Sequence, residues 1–555
     1  MKHKFLWAIA LLLLIGGVTV FFTARYADRL VDPFVRSLLE QNKPMKHKID
    51  YRKIRVNLIN RTINIKDVRM YPDSSLARDE NIWMEVAVGV IKMTDFKIID
   101  LLTKKELIIG DLILLKPEVN VHLPVKVTEE TIREVAEDPS AKPKPQLLKK
   151  IFLNKMLITG GIFRLIRNDL ILASTHDISF LAREIGLSKN SKDEPLGYNY
   201  GEIKVTLSNV SLHSETGLYD ISLDKFSIDK KDSSIVLSGF KMKPKYDKKE
   251  FTTKLQFQTE RFDVEMGKIE INRIGYRRLL NGQPLEISRL LLENINADIY
   301  KDKNIPFDPQ KFPLFFNESF LKLTIPLDID TLSVAGSAIL YNELAEGRTE
   351  VGKIMLNDFN LQSYHLTTHP EDDTLENVLT ADIQAMIMGE GPMNVQVTFP
   401  LEGNLRQVKC TGSVGAMHLS PLNAMLEPSL NIKFNAGTVT RMTFSFSGND
   451  NTSNGWMEFL YKDVDIVVLK KNAGKEFGFV SYLADKLTNS NNPEPGKSYV
   501  KSVEIGVERD KNRGPVNFIW KTIQSGMLRT ILPVSKYNIN SKQKEKQKSS
   551  RTKSR

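Results

Sequence analysis

Two histidines four positions apart come nearest to a metal site in this sequence. In the segment HLTTHPEDD, His365 and His369 precede the acidic residues 371–373. Imidazoles at i and i+4 face one ion only on a helix, and the intervening threonines and Pro370 disfavour a helix. The alternative is a polar loop that caps a helix beginning near Asp373. The sequence therefore predicts no bound metal and no cofactor.

Other motifs that carry chemistry do not occur in the chain. It has no P-loop, no HExxH, no G-x-S-x-G and no dinucleotide fingerprint. The segment GEGP at 389–392 has no lysine behind it and indicates a turn. Cys410 is the only cysteine, which excludes an internal disulfide and a thiolate metal cluster. We therefore expect a protein that is not an enzyme.

Positive charge is concentrated at the C-terminus. The chain has a formal net charge of +11, and the residues from Lys536 onward carry eight basic side chains against Glu545. That stretch therefore holds +7, which leaves +4 for the rest, so the body is not a basic nucleic-acid surface. Residues 535–555 are predicted to be a disordered basic tail, with attraction to anionic lipid headgroups as the alternative.

The N-terminus carries an apolar segment of membrane-spanning length. Residues 5–22 are apolar apart from Thr19, and eighteen helical residues span roughly 27 Å, close to the hydrocarbon thickness of a bilayer. A cleaved signal peptide is the rival interpretation, but FFTAR offers no small-x-small cleavage site. Lys2 and Lys4 favour a cytoplasmic N-terminus, which places the body of this single-pass protein on the other side of the membrane. The predicted anchor, within residues 1–25, contains Phe5, Leu6, Trp7, Leu11, Leu12, Leu13, Leu14, Ile15, Val18, Val20, Phe21 and Phe22.

Most of the remaining chain alternates apolar and polar residues with a period of two. The segments FLKLTIPLDID (320–330), MNVQVTFPL (393–401), SLNIKFN (429–435) and RMTFSFS (441–447) all do so. This pattern predicts antiparallel strands with one apolar and one polar face. Helices are predicted only for a neck at 26–42 and for residues 476–487 and 516–532.

A long internal repeat organises these strands. Residues 54–72 align with 226–244 at an offset of 172, and residues 106–124 align with 284–300 at an offset of 178. The predicted domains are a first β unit with the neck (26–185), a second β unit that duplicates it (196–310), and a C-terminal β region with terminal helices (311–534). The fold class is therefore mainly β with a few helices, in which the anchor precedes repeated, curved antiparallel sheet.

The apolar faces of these strands have two interpretations. They either seal a sandwich core or line an open, elongated groove in which acyl chains replace the second sheet. Residues 516–532 are similarly ambiguous, since the helix caps the sheet or lies in a membrane interface.

Two segments resemble AsmA-like proteins of Gram-negative bacteria. The family pattern of apolar positions leading to a proline is matched by Leu107, Ile109, Leu112, Leu114, Pro117, Val119 and Val121. A later glycine-led strand is matched by Gly455, Tyr461, Asp463 and Val464.

This resemblance implies an inner-membrane anchor, a periplasmic body of repeated sheet and a groove that carries phospholipid toward the outer membrane. It implies phospholipid as ligand and an outer-membrane or envelope protein as partner, with no nucleic acid. The opposing hypothesis is a non-enzymatic envelope scaffold, or a regulator of outer-membrane protein assembly, with a sealed core. The candidate groove residues are Leu321, Leu323, Ile325, Leu327, Val395, Val397, Phe399, Phe444 and Phe446.

Overall fold

The structure is a computed structural model in two compact units. Unit 1 comprises residues 1–238 and unit 2 residues 239–555. The described residues are 47–57, 59–74, 82–97, 100, 103–104, 106–124, 150–188, 197–199, 201–214, 216–275, 284–370, 377–469, 490–493 and 502–531.

Unit 1 is built from strands in their order along the chain. Their bounds are β1 His47–Asp50, β2 Lys53–Asn57, β3 Thr62–Pro72, β4 Trp83–Met93, β5 Glu106–His122, β6 Lys150–Arg167, β7 Leu170–Ser188, β8 Gly197–Asn199, β9 Ile203–His213 and β10 Tyr219–Asp229. β1 and β2 pair with successive parts of β3, followed by β4, β5, β6 and β7; β8 and β9 pair with successive parts of β7, and β10 pairs with β9. All these pairings are antiparallel except β5–β6, which is parallel.

β11, Ser234–Pro244, contains the boundary between the units. The strands that follow are β12 Arg261–Ile274, β13 Leu285–Asp302, β14 Leu327–Leu344, β15 Val351–Thr367, β16 Val378–Ile387, β17 Gly391–Pro400, β18 Val408–Val414, β19 Met417–His418, β20 Ile432–Gly448, β21 Ser453–Val468 and β22 Ser502–Ile505. They pair in chain order from β12 to β18, both β18 and β19 pair with β20, and β21 and β22 follow. Here too one pairing is parallel, β13–β14.

Four α-helices and one 3₁₀ turn have described bounds, all in unit 2. They are α1 Lys248–Thr253, α2 Phe316–Leu321, the 3₁₀ turn Ser420–Leu422, α3 Asn423–Leu430 and α4 Pro515–Ile531. α1 begins after Asp247, whose carboxylate accepts a hydrogen bond from the backbone N–H of Glu250 (2.8 Å). α3 ends at Asn431, which adopts the left-handed conformation (φ 54°) that terminates many helices. The mainly β fold with few helices is confirmed.

The internal repeat reappears as matching strands. β3 and β11 coincide at an offset of 172 residues, and β6 and β14 coincide at an offset of 177. The parallel pair β5–β6 of unit 1 matches the parallel pair β13–β14 of unit 2. Left-handed backbone positions recur at offsets of 172, 178 and 181 residues: Arg61 with Ser233 and Asp67 with Gly239, Asp95 with Arg273 and Lys116 with Asn294, and Asp177 with Asp358 and Glu184 with His365.

One predicted strand is wrong at its start. The period-two pattern of residues 320–330 predicts a strand across Leu321 and Leu323, but α2 ends at Leu321 and β14 begins only at Leu327. The cause is a local cap, because the Glu318 carboxylate accepts a hydrogen bond from the Phe315 backbone N–H (2.8 Å). Pro326 then precedes the strand.

Several sequence predictions lie outside the described residues. These are the apolar segment 5–22, the neck 26–42, the helix 476–487 and the tail 535–555. Among the residues that are described, no helix has both the length and the apolar character needed to cross a bilayer. The helix predicted at 516–532 is confirmed as α4.

Candidate functional site: an apolar sheet face in each unit

An unbroken row of apolar residues crosses eight strands of unit 1. Directly opposed residues in paired strands point to the same face of a sheet. Following these pairs from β2 to β10 gives the first apolar row: Ile54, Ile65, Ile91, Leu114, Ile158, Phe180, Val205 and Ile228. Strands lie about 4.8 Å apart, so seven steps carry this row across roughly 34 Å.

The opposite face of unit 1 is interrupted by charge. The neighbouring row on that face runs Arg55, Asn64, Lys92, Ile113, Leu157, Leu181, Lys204 and Asp229. Its three central apolar residues are flanked by lysines, and Lys204 pairs with Asp229 (3.1 Å). Hydrogen bonds from Lys204 to Asp229 and Glu202 raise the pKa of Lys204 above its usual value. This face is therefore suited to water, in contrast with the first apolar row.

Unit 2 repeats the arrangement over ten strands. From β12 to β22 the second apolar row runs Ile269, Leu292, Val334, Leu361, Ile383, Val395, Gly412, Phe444, Met457 and Val503. The adjacent row on the other face runs Glu270, Leu291, Ser333, Gln362, Asp382, Gln396, Thr411, Ser445, Trp456 and Glu504. The single glycine leaves no gap, because a Cβ at Gly412 would lie 2.5 Å from the Phe444 ring.

The first apolar row is only partly shielded. Ile54 and Ile65 are 6% exposed and belong to a small buried cluster with Tyr51, Val56 and Ile63. The other six members, from Ile91 to Ile228, are half-buried. Side chains of a sheet face that is packed under another layer are usually fully buried. Most of this row therefore presents apolar surface within the described part of unit 1.

The second apolar row changes from half-buried to sealed along its length. Its members from Ile269 to Val395 are half-buried, whereas Phe444 is 3% and Met457 0% exposed. The cover over the buried end is α4: a Cβ at Gly526 would lie 2.5 Å from Ile505 and 2.6 Å from the Met457 sulfur. The close approach of helix to sheet explains the glycine at this position.

The interface of α4 is lined by small polar groups as well as apolar ones. Thr522 and Ser453 share a hydroxyl hydrogen bond (2.7 Å), and Ser525 accepts one from the Gly506 backbone N–H (3.1 Å). Phe518 is 3% exposed and belongs to the same buried cluster as Met457 and Ile505. α4 therefore closes the sheet face at β21 and β22 with satisfied hydrogen bonds, as buried polar groups require.

The candidate groove residues are placed in five different environments. Val397, Phe399, Phe444 and Phe446 are 6%, 2%, 3% and 3% exposed, in the large buried cluster that includes Phe518 of α4. Val395 is half-buried beside that cluster. Leu327 is half-buried beside Ile287, Ile329 and Leu366, and Leu321 is half-buried at the end of α2. Leu323 and Ile325 are 48% and 51% exposed in the turn after α2.

Apart from Val395, the half-buried members of the two rows were not among the candidate groove residues. Leu114 and Leu292 stand in the repeated segments, so the signal was present as the repeat itself. What the sequence lacks is register, which decides which residue of one strand opposes which residue of the next.

The two histidines of the candidate metal site are described, whereas its acidic residues 371–373 lie outside the described residues. His365 lies in β15 with a left-handed backbone (φ 53°), and the Nδ1 atom of His369 lies 2.8 Å from the Thr368 hydroxyl. In the parts of the chain that the structure describes, no group of three His, Cys, Asp or Glu side chains is arranged to hold an ion.

An ion-pair cluster fastens the segment after β22 to unit 2. Arg509, with a side chain 1% exposed, donates to Asp450 and stacks on Phe315 with its guanidinium carbon 4.4 Å from the ring centre. Asp450 also accepts from Lys511 (2.9 Å) and Arg406 (3.2 Å). Burial opposes ionisation of Asp450, but the hydrogen bonds from Lys511 and Arg406 outweigh it and hold its pKa below the usual value. The cluster therefore pairs the buried Arg509 with Asp450 and covers it with the Phe315 ring, although the Arg509 Nε atom makes no hydrogen bond to any described residue.

No family model matches the chain, and no curated protein matches its sequence.

Proposed function

We propose that this protein is an AsmA-like, membrane-anchored periplasmic protein that binds or conducts phospholipid along its apolar sheet faces, without catalysis, for outer-membrane biogenesis or homeostasis. The observation that supports the proposal most is the pair of apolar rows. Each crosses its unit without a charged or polar member, while the row on the other face carries charge. Acyl chains lying across the strands would cover the half-exposed side chains and remove apolar area from water.

The extent of the rows fits a lipid rather than a small ligand. The half-buried part of each row contains six residues and spans about 24 Å. A single leaflet of a bilayer is about 15 Å of hydrocarbon, half of the membrane core. Each row therefore exceeds the length of one acyl chain.

A second candidate function is the envelope scaffold. It is favoured by one observation, the sealed cluster beneath α4, where four of the nine candidate groove residues are fully buried. In this alternative the sheet faces serve only stability, and the polar faces bind envelope proteins.

The test is photocrosslinking of the full chain in bacterial membranes with a phospholipid that carries a diazirine in its acyl chain. We expect crosslinked peptides from β4–β7, besides any from residues 5–22. Ile158→Glu places a carboxylate in the first apolar row, and crosslinking to these strands should fall about tenfold, corresponding to about 1.4 kcal/mol.

The matched control is Leu157→Glu, the adjacent residue on the opposite face, which should retain crosslinking. In unit 2, Leu361→Glu and its neighbour Gln362→Glu form an equivalent pair. Circular dichroism verifies that each variant is folded. Equal crosslinking in Ile158→Glu and Leu157→Glu, or none to the strands of the unmodified chain, would exclude lipid on this face and favour the scaffold.

A further inference from the structure

Three exposed apolar side chains lie at or beside the start of α4. Phe312 is 59% exposed, Val516 64% and Trp520 47%. We call these three residues the outer patch. Exposed aromatic residues that cluster in this way mark interaction sites more often than isolated ones do.

Contacts of Asn512 and Gly514 join the segment that contains Phe312 to the start of α4, which carries Val516 and Trp520. The Asn512 side-chain amide donates to the carbonyls of Pro309 (3.1 Å) and Lys311 (3.2 Å). A Cβ at Gly514 would lie 3.9 Å from the Cβ of Pro313. The segment with Phe312 therefore lies against the residues that lead into α4, where Val516 and Trp520 share one side of the helix at i and i+4.

The outer patch is not needed to attach α4 to the sheet. The buried side of the helix is formed by Phe518, Thr522, Ser525 and Gly526, which are 3% exposed or less or lie in direct contact with β21 and β22. Val516 and Trp520 lie on the other side of the helix. Within the described part of unit 2, the attachment of α4 therefore does not explain why these two apolar side chains are exposed.

Two exposed lysines adjoin the outer patch in the sequence, since Lys311 precedes Phe312 and Lys521 follows Trp520. The neighbouring Asp510 is paired with Arg513 (3.9 Å). Tryptophan is favoured at the headgroup level, where its ring is apolar and its indole N–H is hydrated, and lysines there face anionic phosphates.

The sequence after α4 adds charge of the same sign. Residues from Lys536 onward carry a net +7. Stable membrane attachment generally takes two signals, such as an apolar insertion together with a polybasic segment. The outer patch supplies the first and the tail the second.

We propose that the outer patch docks on a bilayer surface that contains anionic phospholipid, assisted by the basic tail. This contact is separate from residues 5–22 and is independent of whether the sheet faces bind lipid, because the outer patch lies on the side of α4 turned away from the sheet. It gives unit 2 a membrane contact of its own.

The experiment holds the full chain in phosphatidylcholine nanodiscs and adds vesicles of phosphatidylcholine with phosphatidylglycerol. Co-flotation of nanodisc-held chain with the vesicles measures docking. The test variant is Val516→Ser/Trp520→Ser, which we expect to bind about tenfold more weakly because it removes the apolar insertion. The matched control is Trp456→Ser/Val467→Ser, which removes the same residue types at 48% and 37% exposure from β21.

Docking that is retained by the control, weakened in the test variant and screened by salt supports the proposal. Equal binding of both variants, or no binding of the unmodified chain, overturns it. Self-association of the unmodified chain in sedimentation velocity that disappears in Val516→Ser/Trp520→Ser also overturns it, because the outer patch would then be an interface between two copies.

Discussion

Asp450 forms an ion pair with the buried guanidinium of Arg509. The Arg509 side chain is 1% exposed, and burial lowers the pKa of its guanidinium against the raising effect of Asp450. Removing one partner of a buried pair leaves the other charge uncompensated, which usually costs more than the pair contributes. Asp450 is therefore the side chain whose loss should affect the packing of Phe315 and the start of α2 most.

We expect Asp450→Asn to lower the free energy of unfolding of the full chain by about 2 kcal/mol at pH 7. Because the pKa of Asp450 is lowered on folding, its contribution is fully present above the unfolded value, about 3.9, and is lost as the pH falls through the folded value. The difference between the unmodified chain and the variant should therefore vanish in acid. Urea unfolding followed by circular dichroism at several pH values measures it.

Asp510→Asn is the control for this prediction. Asp510 is 60% exposed and lies 3.9 Å from Arg513, so its loss should cost less than about 0.5 kcal/mol at any pH. A pH-independent deficit in Asp450→Asn, or one no larger than in Asp510→Asn, would contradict the role given to the cluster.

Helix α4 behaves as a cover whose attachment is specified by close contacts. Its hydroxyl pairs and Gly526 fix one position against β21 and β22. The buried end of the second apolar row depends on that position, whereas the half-buried members from β12 to β17 do not touch the helix through any of these contacts. Fastening α4 should therefore leave the proposed lipid surface unchanged.

The variant Ser453→Cys/Thr522→Cys tests this attachment. The two hydroxyl oxygens are 2.7 Å apart, so we expect an intramolecular disulfide to form on mild oxidation and to raise the melting temperature. Cys410 should not compete, because it is fully buried and burial raises the pKa of its thiol to about 12. Intact-mass and peptide mass spectrometry identify the bond.

Failure of the disulfide to form in a folded variant would show that α4 does not rest on β21. Loss of lipid crosslinking at β12–β17 in the oxidised protein, with recovery on reduction, would contradict the separation of α4 from the proposed lipid surface of unit 2.

The elements also show where sequence patterns were sufficient. Alternation predicted β17 and β20 from Val395, Val397 and Phe444, and a single apolar stripe predicted α4. The same alternation gave a wrong strand prediction at Leu323. There the apolar residues two positions apart belong to the end of α2 and to the turn that follows it. The helix forms because Glu318 caps it, and the period of the apolar residues does not indicate this cap.

Over the whole molecule, core size differs between the units. Unit 1 has one buried cluster of five residues, and beyond it only Val88, Ile109, Leu153 and Ala182 are buried among its described hydrophobic residues. Unit 2 has the large cluster that joins β17–β22, Phe315 and α4. Local stability follows buried apolar contact, so opening of backbone hydrogen bonds should cost least in unit 1.

Hydrogen–deuterium exchange of the full chain, followed by mass spectrometry, should therefore show slower exchange in β17–β22 than in β4–β10. A phospholipid bound on the first apolar row should slow exchange in β4–β10 and leave β20–β22 nearly unchanged. Uniform exchange across both units would contradict the unequal cores.

Composition and periodicity were enough to predict a β-rich chain, and the repeat offset of 172 recurs between β3 and β11. The two parallel pairs were not predicted, because nothing in the strands β5 or β13 distinguishes a parallel neighbour from an antiparallel one. The apolar rows depend on those pairings and so required the structure.

The left-handed positions that recur in both copies have a consequence for ancestry. Lys116 corresponds to Asn294, Glu184 to His365 and Asp67 to Gly239, so the side chains have diverged while the backbone bend has not. A residue other than glycine in this conformation is strained. We infer that both sets of bends descend from one ancestral unit. Selection would then have kept the path of the strands while the side chains at the bends changed.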